Sequence, residues 1–236
     1  MSRQFAVVGL GRLGIAMAGT LDSLGHDVLG VDTREDLIRN LADDLPNVHL
    51  VAADATDEDV LRGLNVQDFD AAAVVIGENH VEAGILATAN LKELGVSTIV
   101  ARATGKLHAR VLEKVGADRV IQPEQEMGEQ VARVLASPAV LDYVDLGEDE
   151  ALIEAKVPQQ WAGKSLGELA LSRTLGLTVV ALKPKDGAGT LPRGDTILQE
   201  EDVIVVGGTK KLLDASPLAG PAPGSRKPPK RRFFGL

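Results

Sequence analysis

The 236-residue chain contains 44% hydrophobic and 25% charged residues, a composition typical of a soluble globular protein. It has no cysteine, which excludes disulfide bonds, thiolate metal sites and cysteine nucleophiles. Its formal net charge of −9 disfavours contact with a nucleic-acid backbone, so we expect no nucleic-acid partner. No apolar run approaches the roughly 20 residues of a membrane-spanning helix, and no secretory signal is expected. These features indicate a cytoplasmic protein.

The first 136 residues alternate between short apolar runs and helical patterns. Six runs predict β-strands: Phe5–Val8, Val28–Val31, Val48–Ala52, Ala71–Ile76, Thr98–Ala101 and Arg119–Ile121. The stretches after each run predict helices, from Leu13–Leu24 to Glu126–Leu135. Such alternation forms a doubly wound parallel sheet of the Rossmann type, so we predict an α/β domain over 1–136.

The pattern changes after Ser137-Pro138. We predict a linker over 137–143, a small α+β domain over 144–214 and a disordered tail over 215–236 that is rich in proline and basic residues. Apolar runs predict further strands at Val140–Leu146, Leu152–Val157, Val179–Leu182 and Val203–Val206. A short helix is expected at Leu166–Leu171, and a hairpin turn at Lys185–Gly189.

A glycine-rich loop lies between the first predicted strand and the first predicted helix. Gly9-Leu10-Gly11-Arg12-Leu13-Gly14 has the spacing G-x-G-x-x-G in the structural context that this motif requires. The first glycine permits the tight turn, the second lets phosphates approach the backbone, and the third lets the helix pack against the strand. The start of the helix then offers N–H groups and partial positive charge. The loop therefore predicts a phosphate-binding site.

Asp32 ends the second predicted strand, about 20 residues after the loop. A carboxylate at this place accepts hydrogen bonds from ribose hydroxyls and repels a 2′-phosphate. Arg12 lies within the loop, where its cation either folds over bound phosphates or faces solvent. Together these residues predict a site for an adenine nucleotide other than NADP.

Other candidate ligand contacts follow the predicted strands, because open α/β sheets bind ligands at their carboxyl edge. They are Thr33 after the second strand, Asp54, Ala55 and Thr56 after the third, Gly77, Glu78 and Asn79 after the fourth, and Arg102 at the end of the fifth. Thr56 or Asp57 could instead serve only as a helix cap.

Catalytic groups are sparse in this sequence. Its four histidines, His26, His49, His80 and His108, lack metal-ligand spacing and are expected to be structural or exposed. No nucleophile elbow, Walker motif or zinc-protease motif occurs. We therefore predict a sensor rather than an enzyme, with an NAD-dependent oxidoreductase or an NAD(H)-sensing regulator as the alternatives.

The string Phe5-Ala6-Val7-Val8 followed by the glycine loop resembles the opening of the KtrA/TrkA family, cytosolic gating subunits of potassium uptake channels. Further similar segments are Gly25–Asp32, Ala53–Thr56, Leu91–Gly95, Val111–Ile121 and Pro123–Gly128. The resemblance covers about 4–214, and the single-copy length is similar to KtrA.

This resemblance implies ATP or ADP in the loop, or NAD in some members, with Arg12 on the terminal phosphates and Asp32 on the ribose. It implies that Glu124, or second Glu126, binds a divalent cation such as Mg²⁺ or Ca²⁺ at a subunit contact. It also implies dimers that assemble into an octameric ring beneath a KtrB-type membrane potassium channel subunit, at the inner face of the membrane.

Some members of the family bind cyclic di-AMP in the second domain. The corresponding segments here are Ser165–Leu171, Arg173 and Leu182–Pro184, although Ala170 and Ser172 depart from the expected pattern. The basic tail is not a usual family feature. It is expected to be disordered, with contact to anionic lipid as the alternative.

Overall fold

A computed structural model describes residues 2–219 of the chain. The chain forms two compact units that meet in sequence at Pro123 and Glu124. Across the described residues, no helix is long and apolar enough to cross a membrane.

The first unit is built on six parallel strands in the order β3-β2-β1-β4-β5-β6. The strands are β1 Gln4–Val8, β2 Asp27–Asp32, β3 His49–Ala52, β4 Ala71–Val74, β5 Ile99–Arg102 and β6 Arg119–Ile121. β1 lies in the centre and pairs with β2 and β4, with Val8 opposite Val31 on one side and Val74 on the other. Because the chain moves outward from β1 in both directions, the strand order reverses between β1 and β4.

Five helices cover the two faces of this sheet. They are α1 Arg12–Ser23, α2 Glu35–Leu41, α3 Glu58–Gly63, α4 Val81–Glu93 and α5 Lys106–Val115. Successive side chains of a strand point to opposite faces, so the buried Ala6 and Val8 join one core cluster and Val7 joins the other. One cluster packs under α3, α4 and α5, and the other under α1 and α2. The predicted doubly wound parallel sheet is confirmed.

The second unit contains a four-stranded antiparallel sheet in the order β7-β8-β10-β9. Its elements are α6 Pro123–Ala136, β7 Val140–Asp145, β8 Glu150–Lys156, α7 Leu166–Leu169, α8 Leu171–Thr174, β9 Thr178–Lys183, β10 Val203–Thr209 and α9 Lys210–Asp214. Aliphatic residues form most of its core, joined by the single Trp161 and the single Tyr143. The predicted small α+β domain is confirmed.

Helix α6 belongs to the second unit, although its sequence pattern predicts that it is the last helix of the first. The Arg133 guanidinium lies 4.6 Å from the Tyr143 ring centre and 3.1 Å from a carboxylate oxygen of Asp214. Gln130 also donates a hydrogen bond to Asp142. The pattern of α6 continues the strand–helix alternation of the first unit, so only these contacts reveal where it packs. The predicted domain limits otherwise stay a prediction.

Two further details differ from the sequence analysis. The helix expected over Leu166–Leu171 is interrupted at Ala170, which has a left-handed φ of +45°. The start of the predicted tail is folded, because Leu218 is buried in the second core. The remainder of that tail, 220–236, lies outside the described residues. The hairpin at Lys185–Gly189 is present, since Leu182 and Thr190 exchange backbone hydrogen bonds across it.

Candidate functional site

The carboxyl edge of the parallel sheet gathers the residues singled out in the first unit. They follow successive strands: Gly9–Gly14 after β1, Asp32 and Thr33 at β2, Asp54–Thr56 after β3, Gly77–Asn79 after β4 and Arg102 at β5. The reversal of strand order between β1 and β4 opens a crevice at this edge, which is where doubly wound sheets bind ligands.

The glycine loop is shaped by close packing at two of its three glycines. Gly9 has φ +95°, and a Cβ atom there would lie 2.9 Å from the backbone nitrogen of Ile76. A Cβ atom at Gly14 would overlap the carbonyl oxygen of Gly9. Gly11 is different, because apart from its chain neighbours no atom of the described residues lies within 4 Å of its Cβ position. The loop therefore leaves open space beside Gly11, as a phosphate cradle requires.

The loop is fixed to the end of β2. The Gly9 N–H donates to the Val31 carbonyl oxygen at 2.8 Å, and the Leu10 N–H donates to Asp32 Oδ2 at 2.8 Å. Helix α1 then begins at Arg12, with an N-cap, Gly11, that has no side chain to cap it and with no acidic residue in its first turn. The first N–H groups of a helix lack intrahelical partners and carry partial positive charge. This geometry fits an anionic phosphate, and the exposed Arg12 adds a cation beside it.

Asp32 lies at the end of β2 with its carboxylate held by four hydrogen bonds. Oδ1 accepts from the backbone N–H and from Nε of Arg34, and Oδ2 accepts from Leu10 N–H and from Arg34 Nη2. Burial raises the pKa of this carboxyl, but the hydrogen bonds from Arg34 and Leu10 outweigh it and hold the pKa below its usual range. Asp32 is therefore a charged acceptor at neutral pH, as a ribose contact requires.

Arg34 was not among the residues predicted from the sequence. It lies one residue beyond the predicted Thr33, which is exposed, and it precedes α2. Its N-cap position gave no signal, because arginine has no capping oxygen. The short spacing from Asp32 was the available signal, since it allows an acid and a guanidinium to meet across one turn.

The loop after β3 is ordered by its own polar groups. Asp54 Oδ1 accepts from the backbone N–H and hydroxyl of Thr56, and these bonds lower the pKa of the Asp54 carboxyl. Asp57, rather than Thr56, caps α3 by accepting from Asp59 N–H. Asn90 on α4, which sequence reasoning missed, donates to the Thr56 carbonyl oxygen at 2.9 Å. Ala55 is buried beneath this loop.

The loop after β4 and the end of β5 form the other side of the crevice. Gly77, Glu78 and Asn79 are exposed at the start of a short 3₁₀ turn. Arg102 is half-buried, and its Nη1 lies 3.5 Å from the carbonyl oxygen of Ile76, two residues beyond β4. Arg102 thus joins the end of β5 to the loop after β4, on the side of the crevice opposite Asp32.

The remaining candidates lie elsewhere. Glu124 and Glu126 are in the first turn of α6, and no group of three or more acidic or histidine side chains gathers around a metal position within 2–219. Ser165 caps α7 in a reciprocal box with Glu168, so its hydroxyl is already engaged. Arg173 is exposed on α8, and Leu182 is buried in the second core.

Sequence comparison identifies the family to which both units belong. The TrkA-N domain model matches residues 5–123, and the TrkA-C domain model matches residues 152–215. The Ktr system potassium uptake protein C of Bacillus subtilis is 37% identical over 89% of this chain and 93% of its own. The Ktr system potassium uptake protein A of Vibrio alginolyticus is 37% identical over 89% of this chain and 94% of its own.

Structural comparison agrees with this assignment at the level of the fold. The GsuK RCK domain superposes with a TM-score of 0.67 at 22% identity and covers 94% of this chain. The chain spans 49% of the length of that structure. A GsuK channel structure bound to NAD gives a TM-score of 0.67 at 23% identity, over 94% of this chain and 40% of that one. GsuK bound to ADP gives 0.52 at 18% identity, over 59% of this chain and 36% of that one.

The chain therefore belongs to the TrkA family of RCK-domain proteins, in which a TrkA-N domain is followed by a TrkA-C domain. Within that family it is similar to the Ktr system potassium uptake proteins A and C, at 37% identity over 89% of the chain. The family resemblance seen in the sequence is confirmed.

Proposed function

We propose that this chain senses an adenine nucleotide at the Gly9–Gly14 loop and regulates a KtrB-type potassium channel subunit accordingly. The observation that carries the proposal is the pairing of an open, uncapped helix start with the ionised Asp32 on the neighbouring strand. The start of the helix would bind phosphates, and Asp32 would accept hydrogen bonds from a ribose. NAD and ADP in the two GsuK structures make these nucleotides the first ligands to test.

ATP and ADP are the ligands that Arg12 favours. Its side chain is exposed at the N-terminal end of α1, where a further phosphate would add negative charge. A guanidinium pairs with phosphate oxygens in a planar, bidentate way. Arg12 would therefore interact more strongly with a triphosphate than with a diphosphate. A difference of this kind is what allows a nucleotide to shift a conformational equilibrium.

Helix α6 supplies the surface through which we expect copies of the chain to associate. None of its described residues is buried within the chain. Met127, Val131 and Leu135 recur every four residues and are exposed, so they form an apolar stripe on one side of the helix. Such a stripe is best covered by the same stripe of a second copy about a two-fold axis. Dimers formed in this way would assemble into the octameric ring that the family resemblance implies.

Glu124 is the carboxylate we assign to a divalent cation such as Mg²⁺ or Ca²⁺, with Glu126 as the second candidate. Both are on the first turn of α6, and Glu124 lies three residues before Met127, on the side of the helix that carries the stripe. A hard cation needs several oxygen ligands, so a site at this place would draw carboxylates from more than one copy of the chain. Metal binding would then depend on assembly.

We propose a non-enzymatic role at the cytoplasmic face of the membrane, held there by the channel subunit. His49 and His80 are exposed, and His26 packs against Phe5. His108 uses Nδ1 to accept a hydrogen bond from Thr104 N–H. His26 and His49 lie at the amino ends of β2 and β3, away from the crevice, whereas His80 ends the 3₁₀ turn that contains Glu78 and Asn79. His80 is therefore the histidine to test first as a proton donor for hydride transfer. An NAD-dependent oxidoreductase or NAD(H)-sensing regulator is the alternative.

Potassium flux tests this proposal. Vesicles that contain a KtrB-type subunit and the purified chain are supplied with ATP, ADP or NAD, and K⁺ uptake is recorded. We expect uptake to differ between ATP and ADP, and the difference to vanish when Arg12→Ala replaces the natural chain. Equal uptake with both nucleotides would contradict the proposal. Reduction of NAD with a small substrate would favour the oxidoreductase.

A further inference from the structure

The side chain of Arg34 occupies hydrogen-bonding positions on Asp32 that a ribose would need. A carboxylate has about four lone-pair positions on its two oxygens. In this structure all four are used: Oδ1 takes Arg34 N–H at 3.1 Å and Nε at 2.9 Å, and Oδ2 takes Leu10 N–H at 2.8 Å and Arg34 Nη2 at 3.0 Å. A nucleotide that uses Asp32 must therefore displace existing donors.

Only two of the four donors can leave without unfolding the loop. The Leu10 and Arg34 backbone N–H groups are fixed by the glycine loop and by the turn after β2. The guanidinium is different, because the Arg34 side chain is 56% exposed whereas the Asp32 side chain is 8% exposed. A long, exposed side chain swings into water at little cost, since part-exposed ion pairs contribute only about 1 kcal/mol or less.

A bound ribose would replace the hydrogen-bond donors of the Arg34 side chain with an equal number of its own. Arg34 contributes two side-chain donors, one to each carboxylate oxygen. The 2′- and 3′-hydroxyls of a ribose also offer two donors, which would take the same two positions. A ligand that lacks these hydroxyls gains nothing by displacing Arg34.

We propose that Arg34 is a latch over the ribose acceptor, and that it is opened only by a nucleotide with free 2′- and 3′-hydroxyls. This inference rests on the proposed nucleotide site and deepens it. Arg34 acts through Asp32 and is a positioning residue. In the unliganded chain its guanidinium donates a hydrogen bond to each carboxylate oxygen of Asp32 and balances the negative charge. On binding it lowers the affinity that the diol would otherwise provide, which keeps the site sensitive to changes in nucleotide concentration.

Calorimetry with two ligands and two variants tests the latch. ATP and 2′,3′-dideoxy-ATP are titrated into the full chain, into Arg34→Ala, and into Arg39→Ala as a charge-matched control. Arg39 is an exposed arginine on α2 whose ion pair is with Glu35, so its removal changes net charge equally without touching Asp32. Circular dichroism confirms that each variant is folded.

The latch predicts that Arg34→Ala binds ATP about fivefold more tightly, the equivalent of one part-exposed ion pair, and binds the dideoxy ligand unchanged. Arg39→Ala should match the natural chain with both ligands. Weaker ATP binding by Arg34→Ala, or an equal change with both ligands, would overturn the latch while leaving the nucleotide site in place. If no nucleotide binds to any of the three proteins, the proposed function fails, and the latch with it.

Discussion

Gly14 on α1 faces the carbonyl oxygen of Gly9 so closely that a Cβ atom at position 14 would overlap that oxygen. The contact joins the end of β1 to the first turn of α1 and thereby fixes the shape of the phosphate loop. The obstacle is backbone, which cannot turn aside as a flexible side chain would.

Replacing Gly14 by alanine should therefore destabilise the first unit. Overpacking of this kind costs about 3 kcal/mol when the neighbour cannot move. Urea unfolding followed by circular dichroism measures the loss. Gly63→Ala is the matched control, because a Cβ atom there would meet no atom of the described residues within 4 Å beyond its chain neighbours and the nearby backbone of its own helix. Equal stability of the two variants would show that a Cβ atom at position 14 does not overlap the carbonyl oxygen of Gly9.

Gly11→Ala should affect binding and leave stability nearly unchanged. Its Cβ position is open and its backbone is extended, so the folded chain accommodates a methyl group. The methyl group would instead occupy the space that a phosphate needs. Losing one hydrogen bond to a charged group corresponds to about a tenfold weaker affinity. Calorimetric titration with ADP measures this change, and an affinity equal to that of the natural chain would place the phosphate elsewhere.

Asp32 should make the stability of the first unit depend on pH in the acid range. Its pKa in the folded chain lies below the ordinary value of 3.8, because the hydrogen bonds from Arg34 and Leu10 outweigh the effect of burial. The ionised carboxylate therefore stabilises the folded state above about pH 4, and this stabilisation is lost as the pH falls through the lowered pKa.

Comparison with Asp32→Asn measures that dependence. The natural chain should be more stable than the variant at pH 7, and the difference in free energy of unfolding should shrink as the pH falls from about 4 toward 2. Urea titrations at a series of pH values record it. A difference that stays constant down to the lowest pH would mean that the charge of Asp32 does not contribute.

The apolar stripe on α6 should control assembly. Val131→Glu introduces a charge at the centre of the stripe, between Met127 and Leu135. We expect the variant to be monomeric and folded, since Val131 is exposed within its own chain. Ala136→Glu adds the same charge on α6 away from the stripe and should assemble like the natural chain. Light scattering after gel filtration gives the mass of both variants. If Val131→Glu still assembles, the stripe is not part of the interface between copies.

The sequence predicted the parallel sheet and the place of the glycine-rich loop between β1 and α1 well, because both depend on local patterns. Apolar runs such as Ala71–Ile76 indicate buried parallel strands, and strand ends converge at one edge whatever the details of packing. The position of the glycine motif between a predicted strand and a predicted helix was sufficient to predict the loop. Asp32 was predicted as a candidate ribose contact because it ends the second strand about 20 residues after the glycine loop.

Other features depend on contacts that no local pattern records. Arg34 precedes a helix like any exposed residue, and its hydrogen bonds to Asp32 appear only in three dimensions. The sequence pattern of α6 predicts the last helix of the first domain. In the structure, however, Arg133 and Gln130 form hydrogen bonds with residues of the second unit. Ala170 adopts a left-handed conformation that favours glycine, so nothing in its identity indicated a break.

Nucleotide binding at the Gly9–Gly14 loop is the property on which the proposed function depends most directly. Equilibrium dialysis of the full chain against labelled ATP and labelled ADP measures it, with Gly11→Ala as the site variant and Gly63→Ala as the control. We predict that both nucleotides bind the natural chain and the control, that their affinities differ, and that Gly11→Ala binds both at least about tenfold more weakly. Failure of both nucleotides to bind, or equal binding by Gly11→Ala, would contradict the account.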